Sequence, residues 1–535
     1  MAANTSNRRP TIPLFIMDHY RRRSLSPLPT FRRYYRQSGS NWLSRVPARL
    51  RCAKDAAQFS GLPVAGFVGF SPWNPALRLF VSLDDMQQLC SPTVVEAQTV
   101  QAGAMWNRCA LRFLPPLPRF TTGEQRKREK AYDEGLRAVQ REARLAPRTP
   151  AGRLLMQERV VAVFPGFAAT ALGLESESTQ LLTRSFLPLG TGLARWARAF
   201  DPTLSMADTI QACRNAWTCG GMQALLGQPM ELTPSTLAYS LLYPYSDNYL
   251  DQPGLGSQDK LRFSERFRLR LNGQHLSAQN PRESAIWALV QLIEQQYPRA
   301  EYQQVFQSLL DIHQAQEDSI RQLKQSAGCL PSIDPSELLR ITCAKGGTSV
   351  LADAYLAQPW LTPEEIGFSF DWGVLLQLGD DLQDVQEDFD RGSLTLFTQA
   401  LANGLLLDDL VLQLLHFSDA VASRMDRLPH GTPSLKHLLR MSWRSLILMA
   451  VANARKFLSP AFLAQLETCS SFRFNFLRAR NQKLDDRASL FPVIFDAFLE
   501  AGEDGHGGPT QPCEPNRAHK LSAVADLDAL SSSLA

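Results

Sequence analysis

No apolar run in this 535-residue chain approaches the ~18 residues that a helix needs to cross a bilayer. The nearest candidates, Leu446–Ala452 and Leu405–Leu415, are short or broken by acids. An integral membrane protein is thereby excluded. The nine cysteines form no paired CxxC and show no Cys/His metal spacing, and their number is odd. Free thiols in a reducing compartment fit this better than a disulfide framework or a structural zinc site. There is no internal repeat, so the chain is not a repeat array.

Acids are scarce in one stretch. Residues 1–54 hold twelve Lys or Arg and one acid, Asp18, for +11. The overall +4 therefore hides a remainder with 44 basic and 51 acidic residues, or −7. This Ser-, Pro- and Arg-rich arm reads as disordered. Transit peptides share the composition, and a nucleic-acid arm finds no support downstream. The expectation is a cytoplasmic protein, with organelle targeting through the basic arm as the alternative and no nucleic-acid partner. The tail, 501–535, also reads as disordered.

What is present, 44% hydrophobic and 20% charged residues, is the composition of a globular protein. Residues 55–175 read as a separate, partly helical N-terminal region, Pro-rich and aperiodic before Gly123. EQRKREKAYDEGLRAVQREARL then predicts a helix charged on most faces and solvated. Val160–Phe164 (VVAVF) is the one run with strand character. From Thr179 to Leu499 helical segments alternate with Pro/Gly breaks, so 176–500 is expected to be an all-α domain.

The best-defined helix runs from Pro363 to Arg391. Thr362 and Glu365 make a T-x-x-E capping box with Pro363 at the first position. Arg391 and Gly392 suit the other end. Gly373 and Gly379 inside it point to close packing or a bend. At ~100° per residue, Ile366, Phe370, Gly373, Gln377, Asp380, Asp384 and Asp388 share a stripe with Asp381 at its edge. Half of that stripe is apolar and half acidic, as in the wall and mouth of a pocket. Isolated carboxylates are costly to bury.

A second acidic pair, Asp247 and Asp251, stands at i and i+4 between Pro244 and Pro253, near a helix end. Alone it is as consistent with a solvated terminus as with a cation site. Two facing carboxylate clusters would suit Mg²⁺, which takes oxygen ligands and shares its site with phosphates. Arg262, Arg266 and Arg270, with Lys260 and Arg268 nearby, would suit a diphosphate or equally a solvated basic face. Arg473, Arg478 and Arg480 form a weaker basic cluster. Lys345-Gly346-Gly347-Thr348 reads as a break between helical pieces.

These residues resemble the class I isoprenoid synthases over about residues 180–500. Gln377-x-x-Asp380-Asp381-x-x-Asp384 is similar to the Q-x-x-D-D-x-x-D of prenyl diphosphate synthases. Asp384-Val-Gln-Glu-Asp388-x-x-Arg391-Gly392 resembles the second acidic motif of squalene and phytoene synthases. Asp247-x-x-x-Asp251 resembles the first, 129 residues before Asp380. Lys345 and Thr348 are similar to the lysine-threonine pair of prenyl diphosphate synthases, and Thr183-Arg-Ser-Phe186 to the S-x-S-F opening of phytoene synthases. The chain departs from those families in having no G-G-K-R-like segment, no R-R-G, no N-x-x-x-S-x-x-x-E and no terminal Arg-Tyr pair.

The resemblance implies a helical bundle around a central cavity and a prenyl diphosphate substrate. Asp247, Asp251, Asp380, Asp381, Asp384 and Asp388 would hold three Mg²⁺ ions, with Mn²⁺ as a substitute. Arg262, Arg266, Arg270 and Lys345 would bind diphosphate, and Ile366, Phe370 and Gln377 would line the pocket. Tyr243, Tyr245 and Tyr249 read more readily as packing. A terpene synthase that ionises one allylic diphosphate is expected. The alternatives are a prenyltransferase, head-to-head or chain-elongating, and a non-catalytic helical interaction protein.

Overall fold

The computed structural model describes residues 93–144, 149–250, 256–322 and 333–486. Among these residues the chain is all-α, with no strand. The basic arm, residues 55–92 after it, the tail and Asp251 lie outside the described residues.

The helices are α1 (Val94–Arg108), α2 (Thr122–Arg144), α3 (Pro150–Phe167), α4 (Ser176–Leu181), α5 (Leu187–Phe200) and α6 (Met206–Leu225). Next come α7 (Pro234–Leu250), α8 (Ser257–Leu271), α9 (Pro281–Gln296), α10 (Gln303–Ser319), α11 (Pro335–Ala357) and α12 (Pro363–Gln383). The remainder are α13 (Val385–Arg391), α14 (Leu396–Ala402), α15 (Asp408–Arg427), α16 (Pro433–Asn453), α17 (Pro460–Glu467) and α18 (Phe474–Asp486). One-turn π segments, Ala168–Leu172 and Leu182–Phe186, follow α3 and α4.

Side chains lost from water gather into two large clusters. One joins Trp106 of α1, Phe164 of α3, Phe368 and Leu375 of α12, Phe417 of α15 and Trp443 of α16. The other joins Leu193 of α5, Ile210 of α6, Leu241 of α7, Phe267 of α8 and Ile286 of α9. Helix α11 serves both: Cys343 and Leu351 belong to the first cluster, and Ala352 and Leu356 to the second. Packing also crosses residue 176, because α1 and α3 are part of the first cluster.

Four local expectations are corrected. Val160–Phe164 is helical, capped by Thr149 with Pro150 at N1. Its apolar residues are spent at helical spacing, since Met156, Val160 and Phe164 are buried at i, i+4 and i+8. The charged helix α2 is not solvated all round, because Gln125, Glu129 and Tyr132 are buried. Glu129 accepts from Arg473 Nε at 2.9 Å, and Asp133 accepts from Arg480, so the basic cluster near the domain's end docks α18 on α2.

Lys345–Thr348 is not a break but the middle of α11. A Cβ on Gly346 would come within 2.6 Å of the Gly373 carbonyl oxygen, and one on Gly373 would fall on the Gly346 carbonyl. One on Gly347 would collide with the Phe370 ring. The glycines are there so that two backbones can touch; the crossing of α11 and α12 supports the helix that glycine alone would weaken.

The fourth correction concerns the acidic helix. Its capping box forms, with Thr362 N donating to Glu365 Oε2 at 2.7 Å, and Gly392 adopts the left-handed stop at φ 74°. Between them Asp384 leaves helical angles, at φ −94° and ψ 8°, and separates α12 from α13. A short polar side chain competes with the helical backbone, so Asp tolerates that departure.

Candidate functional site

The glycine crossing fixes what flanks it. On α11, Lys345, Ser349 and Asp353 are spaced at i, i+4 and i+8, and all three line a cavity of about 340 Å³ between the two clusters. On α12, Trp372, Leu376, Gln377 and Asp380 line the same space. Helix α16 adds Leu438, Leu439, Trp443 and Leu446, and α6 adds Arg214, Asn215 and Trp217. Most of the wall's area is apolar or aromatic, with polar side chains such as Gln211, Thr218, Gln316 and Ser442 interspersed through it.

The acids of α12 and α13 gather beside Lys345. Gln377 Nε2 donates to Asp381 Oδ1 at 2.7 Å. Burial pushes the Asp381 carboxyl up to about 7; the Lys345 ammonium and the Gln377 bond oppose this, and the charges of Asp388 and Asp380 add to it. Burial and then the Asp380 charge raise Asp388 to about 6, again against Lys345. Asp380 and Asp384 are half-buried. At Asp381 and Asp388 burial and like charge outweigh Lys345, and a set of carboxylate oxygens suits a hard divalent cation.

Among the described residues no group of three or more His, Cys, Asp or Glu converges to hold a metal ion. The first acidic motif bears on this. Asp247 stands in α7 three residues beyond Pro244, which lines the cavity, but its side chain and all of Asp251 lie outside the described residues.

Several expected residues are placed elsewhere. Arg266 Nε binds Glu283 Oε1 at 2.8 Å, and Arg270 Nη1 binds Glu294 Oε1 at 2.6 Å. Arg268 pairs with Glu317, and Arg262 is exposed beside Asp259. None of these arginines lines the cavity. Phe370 is fully buried against Gly347, and Ile366 packs on the same cluster, so neither reaches the cavity wall. Tyr245 donates to Asp201 and Tyr249 meets Phe263 edge-on, which is packing; the Tyr243 side chain lies outside the described residues.

The cavity draws on residues that motif reading passed over: Arg214, Asn215, Trp217, Asp353, Trp372 and Trp443. The Thr183–Phe186 segment is the π turn after α4. Its Phe186 lines the cavity, and the Phe186 carbonyl accepts from Trp217 Nε1 at 2.7 Å. π turns are frequent at functional sites.

Compared with family models, with curated proteins and with solved structures, the chain finds no match.

Proposed function

We propose that the chain is a class I terpene synthase that ionises an allylic prenyl diphosphate. One observation carries this: Lys345, Gln377 and Asp380 line a cavity whose wall also holds three tryptophans, Trp217, Trp372 and Trp443, and five leucines. Such a chamber suits a long apolar chain with one strongly anionic end.

Asp380, Asp384 and Asp388, with Asp381 beside them and with Asp247 and Asp251 of the first acidic motif, would hold Mg²⁺, or Mn²⁺ in its place. Bound there, the metal neutralises charge on the departing diphosphate. Lys345 adds a fixed positive charge at the same end, and Arg214 a guanidinium on the cavity wall. Gln377 orients Asp381 through its hydrogen bond. The rings of Trp217, Trp372 and Trp443 offer π faces to positive charge on the ionised chain and keep water out. No nucleophilic side chain is required, because the chemistry is stabilisation of a leaving group.

The deciding experiment is release of diphosphate from prenyl diphosphates of increasing length, with and without Mg²⁺ and with and without isopentenyl diphosphate. Release from one allylic substrate alone, giving a hydrocarbon or alcohol, is the expected result. Asp380→Asn/Asp384→Asn is expected to lower it by about 100-fold or more while the fold persists. Release only with a second substrate would make the protein a prenyltransferase. No release under any condition would overturn catalysis and leave a helical interaction protein.

A further inference from the structure

The cavity has a second polar end that ionising a diphosphate does not use. Asp353 is 1% exposed and lines the cavity. Its Oδ1 accepts from Asn215 Nδ2 at 3.2 Å, and the same amide reaches Ser240 Oγ at 3.3 Å. Both partners line the cavity too. Among the described residues no hydrogen bond is made to Asp353 Oδ2 and no cation pairs with the carboxyl. A carboxyl buried this deeply without a counter-charge is a costly feature unless something enters to meet it.

Burial raises the Asp353 carboxyl well above its ordinary range, against only the Asn215 bond, which favours its protonated form. Oδ1 already accepts from the amide, so Oδ2 is the oxygen left to meet a further partner. Eight residues along α11 separate Asp353 from Lys345, or about 12 Å at 1.5 Å per residue.

We propose that Asp353, Asn215 and Ser240 form a binding subsite for an oxygen function, hydroxyl, ether or carbonyl, on the apolar chain of the ligand, about 12 Å along α11 from its anionic end. This rests on the diphosphate reading for the anionic end and goes beyond it: the ligand is an oxygenated amphiphile rather than a plain hydrocarbon chain. Asp353 donates to the incoming oxygen, while Asn215 holds the carboxyl in place and Ser240 holds the amide. The Trp and Leu walls take the segment between the two ends.

Calorimetric titration of the full chain with dodecyl diphosphate and with its ω-hydroxy analogue, both saturated and so unable to ionise allylically, tests this. One added hydrogen bond corresponds to about fivefold tighter binding of the hydroxy analogue. Asp353→Leu is expected to abolish that preference. Asp353→Asn, which keeps a donor at the same place, is expected to retain part of it, and thermal melting of both variants checks that they fold. Equal affinity of the wild-type chain for the two probes would overturn the subsite and leave the diphosphate reading standing. Binding of neither probe would overturn both.

Discussion

Helices α8 and α12–α13 carry the same pattern with opposite sign. One has Arg262, Arg266 and Arg270 at i, i+4 and i+8; the other has Asp380, Asp384 and Asp388. On α8 the charges are answered from neighbouring helices, Arg266 by Glu283 of α9, Arg268 by Glu317 of α10 and Arg270 by Glu294 of α9. On α12–α13, burial and like charge outweigh Lys345, and two carboxyls are raised toward neutrality. Periodic charge says only that a helix has a polar stripe. The same spacing thus belongs to one stripe whose arginines are tied to acids of neighbouring helices and to another in which burial outweighs the nearest lysine at two carboxyls.

Opposite responses to neutralisation would sharpen that contrast. Glu283 is 2% exposed in the Arg266 pair, so Arg266→Ala leaves a buried anion and is expected to cost on the order of 3 kcal/mol in urea unfolding. An unchanged midpoint would remove the distinction. Next in size is Gly373→Ala, where the new Cβ meets backbone rather than a movable side chain. About 1–3 kcal/mol of destabilisation is expected, together with weakened diphosphate binding as Lys345 and Gln377 are pushed apart.

Asp381→Asn should act in the reverse direction. A carboxyl raised to about 7 contributes its full stability below the unfolded value near 4 and loses it as pH rises through 7. The variant is therefore expected to melt higher than the wild type at pH 8, with the gain fading toward pH 5. Equal melting temperatures across that range would show that Lys345 already compensates the acid cluster. Smallest is Gly379→Ala: its Cβ meets only the Leu446 side chain, nearest at Cδ2, 3.1 Å away. The gain in helix propensity, about 1 kcal/mol, offsets that contact, and the net change should be near zero.

Much of the helical framework was legible because caps are local. The Thr362–Glu365 box and the Gly392 stop could be placed from residues a turn apart, and both are where the spacing put them. The α11–α12 crossing was not legible, because Gly346 and Gly373 explain each other only once two segments 27 residues apart are laid together. Treating Lys345–Thr348 as a break also cut the stripe that runs from Lys345 through Ser349 to Asp353. With α11 continuous, that stripe follows from helical spacing alone. Phe370 was assigned to the cavity by its stripe, yet the space beside Gly347 claimed it. Burial in VVAVF was foreseeable but its period was not, since Val160 and Phe164 fit a helical face as well as a strand.

The glycine crossing also has a consequence for descent. On the proposed function the carboxylates are held for a task, so a lineage that abandoned the task would be free to replace them, and replacing Asp381 would raise stability. Gly346, Gly347 and Gly373 have no such freedom, because the two backbones touch whether or not anything enters the cavity. In a set of descendants, glycines kept without acids would mark proteins that retired the chemistry and retained the architecture.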